Sequence, residues 1–125
     1  MKSTSRVFVY GTLKRAQVNH DLLSSATYLG DYQTQSVFKM FHLGGYPGVV
    51  KNGTTSIVGE VYAVDGLTMS HLDRLEGFPN AYTRELIPTP WGKAWIYLYR
   101  GSLRGRQIIQ SGCWQDQINW RRWSR

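Results

Sequence analysis

Apolar residues in this chain come in short clusters separated by glycine, proline and asparagine, and within most clusters they alternate with a period of two. The first cluster, Val7-Phe8-Val9-Tyr10, is instead continuous, as in a strand buried on both faces. Gly11 ends it, and a polar stretch from Arg15 to His20 reads as a loop. Asn19 is placed to cap a short helix that carries Asp21, Leu22 and Leu23 and ends near Ala26. Tyr28 to Leu43 alternates loosely, which predicts one or two strands with a bulge or bend. Gly44-Gly45-Tyr46-Pro47-Gly48 is a loop, Val49-Val50 a short strand, and Lys51-Asn52-Gly53-Thr54 a turn of hairpin type.

The second half is more regular. Ser56 to Val64 places Val58, Glu60, Tyr62 and Val64 on one face and Ile57, Gly59, Val61 and Ala63 on the other. Asp65-Gly66 breaks that strand. Thr68 is the expected cap of a helix through Glu76, with Met69, Leu72 and Leu75 at helical spacing. Gly77 is placed to end it in the left-handed conformation, and Pro79 prevents its continuation. Ala81 to Pro88 and Lys93 to Tyr99 read as strands around Pro90-Trp91-Gly92. Gln107 to Gln110 reads as a last strand. About six strands, two short helices and no βαβ rhythm predict an α+β fold, a mostly antiparallel sheet closed into a small barrel with helices at its side.

At 125 residues the chain suits one domain, 1–125, with 113–125 as a basic, Trp-rich tail. Its 42% hydrophobic content supports a real core and argues against global disorder. The single cysteine, Cys113, has no internal partner, which fits a reducing compartment. One cysteine and the scattered His20, His42 and His71 give no zinc-type spacing, so no metal site or cofactor is expected. The apolar run after Met1–Arg6 stops at Gly11, too early for a signal peptide. No apolar run approaches the roughly 18 residues needed to span a bilayer. A cytoplasmic protein without membrane association is expected. The net charge of +7 suits acidic metabolites, anionic surfaces or nucleic acid without choosing among them.

Glu76 is the carboxylate whose placement suggests chemistry. It meets the negative end of a helix dipole and has apolar neighbours in Leu75, Gly77, Phe78 and Pro79, and both features push a carboxyl pKa upward, toward a general base. The plainer alternative is an exposed, ionised Glu76, either tolerated at a small cost or paired with Arg74 or Arg84. Glu60 is the rival carboxylate, mid-strand and facing either solvent or a lumen. Tyr82 and Arg84 share a strand face and are candidates to bring a phenol and a cation to the same site; the plainer reading of Arg84 is a pair with a surface acid. The backbone N–H groups after Gly11 can form an anion-binding hollow. Neither a phosphate-loop motif nor a G-x-S-x-G elbow is present.

Val9-Tyr10-Gly11-Thr12-Leu13-Lys14, then Gly59-Glu60-Val61-Tyr62, then Leu72-Asp73-Arg74-Leu75-Glu76-Gly77 followed by Tyr82-Thr83-Arg84 together resemble the γ-glutamylcyclotransferase-like family. The resemblance runs from about Val7 to Tyr99. It implies a small β-barrel with flanking helices, Glu76 as catalytic residue, and a substrate-holding loop of Tyr10, Gly11, Thr12 and Leu13 with Tyr82 beside it. Glu60 and Arg84 stay as secondary candidates. The implied reaction releases 5-oxoproline and an amine from a γ-glutamyl small molecule. With Gly44-Gly45-Tyr46-Pro47, Phe78 and Tyr82 at the exit, γ-glutamyl-alkylamines are the expected substrates over γ-glutamyl-α-amino acids. A reading of a different class is a binding module on the same fold, with Trp114, Trp120, Trp123 and the nearby arginines holding nucleic acid.

Overall fold

A computed structural model describes residues 4–114. Among the described residues eight strands form: β1 (Thr4–Val9), β2 (Thr27–Gln33), β3 (Phe38–His42), β4 (Pro47–Lys51), β5 (Val58–Asp65), β6 (Tyr82–Ile87), β7 (Ala94–Tyr99) and β8 (Gln107–Ile108). An α-helix, α1 (Gly66–Glu76), follows β5, and a 3-10 turn occupies His20–Leu23. None of the helices among the described residues is long and apolar enough to cross a membrane.

The strands make two sheets rather than one closed barrel. Five pair in the order β2-β5-β1-β7-β6, and three in the order β4-β3-β8. β1 is the centre of the larger sheet, as its unbroken apolar run requires. Phe8 lies opposite Val61 in the antiparallel pair with β5 and opposite Ile96 in a parallel pair with β7. That parallel pair is the exception to an otherwise antiparallel pattern. β2 carries the expected irregularity, a register shift between Tyr28 and Gly30.

Alternation along β1 sends its side chains into two cores. Val7 and Val9 pack with Tyr62 and Val64 of β5 and with Met69 and Leu72 of α1. Phe8 packs with Val61 and Ile96 against Phe38, Met40 and Val49 of the smaller sheet. The larger sheet is thus covered by the helix on one face and by the second sheet on the other. A barrel expectation followed from counting strands; the ladders separate because β3 and β4 pair with each other and β8 adds to β3. For the same reason Lys51-Asn52-Gly53-Thr54 is not a hairpin turn. It carries the chain from β4 in one sheet to β5 in the other.

Three local expectations change. Asp65, not Thr68, caps α1: its carboxylate accepts a hydrogen bond from the Thr68 N–H at 2.8 Å. Asn19 precedes the 3-10 turn without capping it, because its side chain donates instead to Thr12 Oγ1 at 2.9 Å. Trp114, expected in an exposed tail, is buried in the core between the sheets. It is therefore unavailable for stacking on a nucleic-acid base; Trp120, Trp123 and the rest of the tail lie outside the described residues.

Candidate active site

The end of β1, the loop after it and the end of α1 converge on a cavity of about 450 Å³. The three segments arrive there for separate reasons. The loop leaves the central strand at Gly11, whose missing side chain lets it pass Pro47: a Cβ at Gly11 would lie 2.9 Å from both Cγ and Cδ of that ring. Gly77 ends α1 in the left-handed conformation (φ 65°), and its N–H bonds back to the Arg74 carbonyl. This termination leaves Glu76 at the rim of the helix, against the strand end. The Gly45-Tyr46-Pro47 segment forms the opposite wall.

Tyr10, Gly11, Thr12, Leu13, Glu76 and Tyr82 all line this cavity, so six of the residues singled out from the sequence are brought together. Glu76 is partly buried, and burial pushes its carboxyl up to about 7, while among the described residues no ion pair or hydrogen bond holds it. The pairing of Glu76 with Arg74 or Arg84 considered from the sequence is absent from the described residues. The phenols nearby are braced by backbone carbonyls. Tyr10 donates to the Tyr97 carbonyl at 2.8 Å and Tyr82 to the Pro47 carbonyl at 2.8 Å. Burial raises both phenols well above the ordinary tyrosine value, with the Glu76 charge adding to the effect. They stay protonated at neutral pH, as hydrogen-bond donors and not as bases.

Glu60 and Arg84 are not in the cavity lining. Glu60 is buried and accepts from the Arg15 N–H at 3.0 Å, from Arg15 Nε at 3.3 Å and from the Tyr62 hydroxyl at 3.0 Å. Arg15 also reaches Asp31 at 3.1 Å and stacks on Tyr28. Glu60 therefore ties the far side of the Gly11 loop to β2 and β5. The loop is further pinned where the Asn19 N–H donates to the Thr12 carbonyl at 2.8 Å.

Arg84 is committed elsewhere too. Its Nε and Nη2 meet the two carboxylate oxygens of Asp73 at 3.0 and 3.1 Å, and its guanidinium is sandwiched between Phe78 and Trp95. Phe78, expected at the exit, is thereby occupied in holding Arg84. Asp73 accepts a third bond from the Tyr97 hydroxyl at 2.7 Å. Lying one turn before Glu76, Asp73 anchors the end of the helix that presents the carboxylate. Sequence reasoning missed both Asp73 and Tyr97; the signal available was an acid three residues before Glu76 facing an unpaired Arg84.

Two substitutions test this scaffold. Asp73→Asn keeps one acceptor but loses the charge that three donors share, and a loss of about 2 kcal/mol is expected, read as a lower urea midpoint at unchanged slope. Gly11→Ala forces the rigid Pro47 ring aside, an overpacking cost of about 1–2 kcal/mol, visible as a lower Tm. Because both walls of the cavity move, kcat/KM should drop by about 10-fold or more.

Among the described residues no group of three or more His, Cys, Asp or Glu side chains is placed to hold a metal. The family model for gamma-glutamyl cyclotransferase, AIG2-like, proteins matches residues 7–116. A Vibrio cholerae relative is 44% identical over 112 residues, covering 90% of this chain and 96% of its own. The gamma-glutamylcyclotransferase family protein YtfP of Escherichia coli K12 is 40% identical over 112 residues, covering 90% and 97%. The solution structure of E. coli YtfP superposes with a TM-score of 0.75 over 90% of this chain and 98% of that one. An uncharacterised Pyrococcus horikoshii protein, 26% identical, superposes at 0.81 over 97% and 99%.

Proposed function

The chain belongs to the gamma-glutamyl cyclotransferase, AIG2-like, family, and from that premise we propose that it converts a γ-glutamyl-amine or related γ-glutamyl compound into 5-oxoproline and a free amine. One observation carries this reading. A carboxylate raised to about 7 faces a cavity of small-molecule size and has no charged partner among the described residues.

The substrate brings its own nucleophile. Its α-amine nitrogen attacks its γ-carbonyl carbon, the new C–N bond closes a five-membered ring, and the bond to the leaving nitrogen breaks. Glu76 takes the proton released from the attacking amine and returns it to the leaving nitrogen, so it ends as it began. A base near neutrality suits both halves of that exchange. Backbone N–H groups of Gly11, Thr12 and Leu13 hold the substrate carboxylate or the developing oxyanion, in the way that convergent amides stabilise anions. Tyr10 and Tyr82 wall the cavity and fix its shape through their bonds to Tyr97 and Pro47. Holding the folded γ-glutamyl chain with amine and carbonyl in contact contributes several kcal/mol to the barrier reduction. The ring closure needs neither a covalent enzyme intermediate nor a redox partner.

The test is incubation of the protein with a panel of γ-glutamyl compounds and direct assay of 5-oxoproline. Release above the spontaneous rate supports the reaction; no release from any member of the panel refutes it.

A further inference from the structure

Among the described residues the cavity lining holds two charged side chains, Glu76 and Arg74. Arg74 is exposed, and among the described residues its guanidinium forms no ion pair. It lies in the last turn of α1, where a cation suits the helix dipole, but the dipole does not require it to border a cavity. The same mouth carries three exposed apolar side chains, Val18, Tyr46 and Leu75, at 79%, 46% and 41% exposure. Side chains of this kind gain free energy when a ligand covers them.

We propose that Arg74 is a specificity-determining residue that pairs with a carboxylate on the leaving amine, while Val18, Tyr46 and Leu75 cover an apolar side chain on it. The inference rests on the cyclotransferase reading and deepens it: the preferred substrates are γ-glutamyl dipeptides whose second residue is a large apolar α-amino acid. The geometry favours the leaving group over the γ-glutamyl half as the partner of Arg74. The reacting half must reach Glu76, which is partly buried, whereas Arg74 and the apolar trio stand at the solvent side, where the leaving amine emerges. Arg84 was the one cation that sequence reasoning offered for a second carboxylate, and its bond to Asp73 removes it from that role. The alkylamine preference expected from the sequence assumed an uncharged exit; Arg74 supplies the missing charge.

The experiment compares kcat/KM for three compounds: γ-glutamyl-leucine, γ-glutamyl-glycine, and the γ-glutamyl amide of 3-methylbutylamine, which is the leucine compound without its carboxylate. Wild-type protein should favour γ-glutamyl-leucine over the amide by up to about 5-fold, the scale of an ion pair at an exposed side chain. It should favour γ-glutamyl-leucine over γ-glutamyl-glycine by about 10-fold through apolar contact. Arg74→Gln should collapse the leucine-to-amide ratio toward one, and Arg74→Lys should restore part of it. A wild-type preference for the amide overturns the inference. So does an equal loss on both compounds in Arg74→Gln, which would assign the guanidinium to the α-carboxylate common to all substrates. Turnover of all three compounds without preference overturns the specificity role alone, whereas no 5-oxoproline from any of them overturns the reaction and the inference with it.

Discussion

Glu76→Gln loses turnover by about 10²–10⁴, the contribution of a positioned general base, while the circular dichroism spectrum keeps its wild-type form. Gln is nearly isosteric, and Glu76 holds no described residue in place, so removing its charge removes the proton acceptor and little else. The wild-type pH profile carries the companion signature. A base must be unprotonated to act, so kcat/KM rises with pH and levels off above the Glu76 pKa, which burial has pushed up to about 7. In Glu76→Gln the residual rate loses that inflection. Glu60→Gln should leave the inflection in place, because Glu60 lies outside the cavity and acts through Arg15. A Glu76→Gln protein with full activity would move the base elsewhere, and Glu60 would then be the first carboxylate to reconsider.

The same substitution stabilises the fold in alkaline solution. Glu76 has its ordinary value of 4.5 when unfolded and about 7 when folded. Below 4.5 both states carry the proton and the group has no effect on stability. Between 4.5 and 7 the folded state holds a proton that the unfolded state has released, so stability falls as pH rises through this window. Above 7 the carboxylate is ionised in both states and the full desolvation penalty is present. The shift sets an upper bound of about 3 kcal/mol. Glu76→Gln therefore melts with wild type at pH 4 and above it at pH 8, by up to about that amount. Equal melting temperatures at pH 8 would mean that the ionised carboxylate finds solvent or a partner when charged. A more stable, less active variant is the pattern expected where a buried ionisable group is kept for chemistry.

Much of the architecture was legible because local rules carry it. Four consecutive apolar residues at Val7–Tyr10 admit a central strand and little else, and β1 is buried on both faces. The two-residue period of Ser56–Val64 assigned Val61 and Tyr62 to opposite faces, and the two cores divide them that way. Gly77 before Pro79 marks a helix end by backbone sterics alone, and Glu76 is stationed by that end. The Tyr10–Leu13 loop and Glu76 were named together through the motif resemblance, and the fold brings them to one cavity.

Partner choice was beyond the sequence. Whether eight strands close into one barrel or divide into two sheets depends on which edges meet, and no single strand encodes that. Lys51-Asn52-Gly53-Thr54 has the composition of a hairpin turn yet crosses between sheets: β4 pairs with β3, and β5 pairs with β1 and β2. Charge pairing across long separations was equally hidden. Arg84 was open to a substrate or to a surface acid until Asp73, eleven residues earlier, engaged its Nε and Nη2. Glu60 looked able to face a lumen until Arg15 claimed it from forty-five residues away. Arg74 was considered only as a partner for Glu76, and it lines the same cavity without pairing with it. The sequence by itself determined where the central strand, the Gly11 loop and the end of the helix fall, because strand period, glycine sterics and helix ends are local. Only the tertiary structure decided which charges are spent on the scaffold and which still face the cavity, because that depends on contacts between segments far apart along the chain.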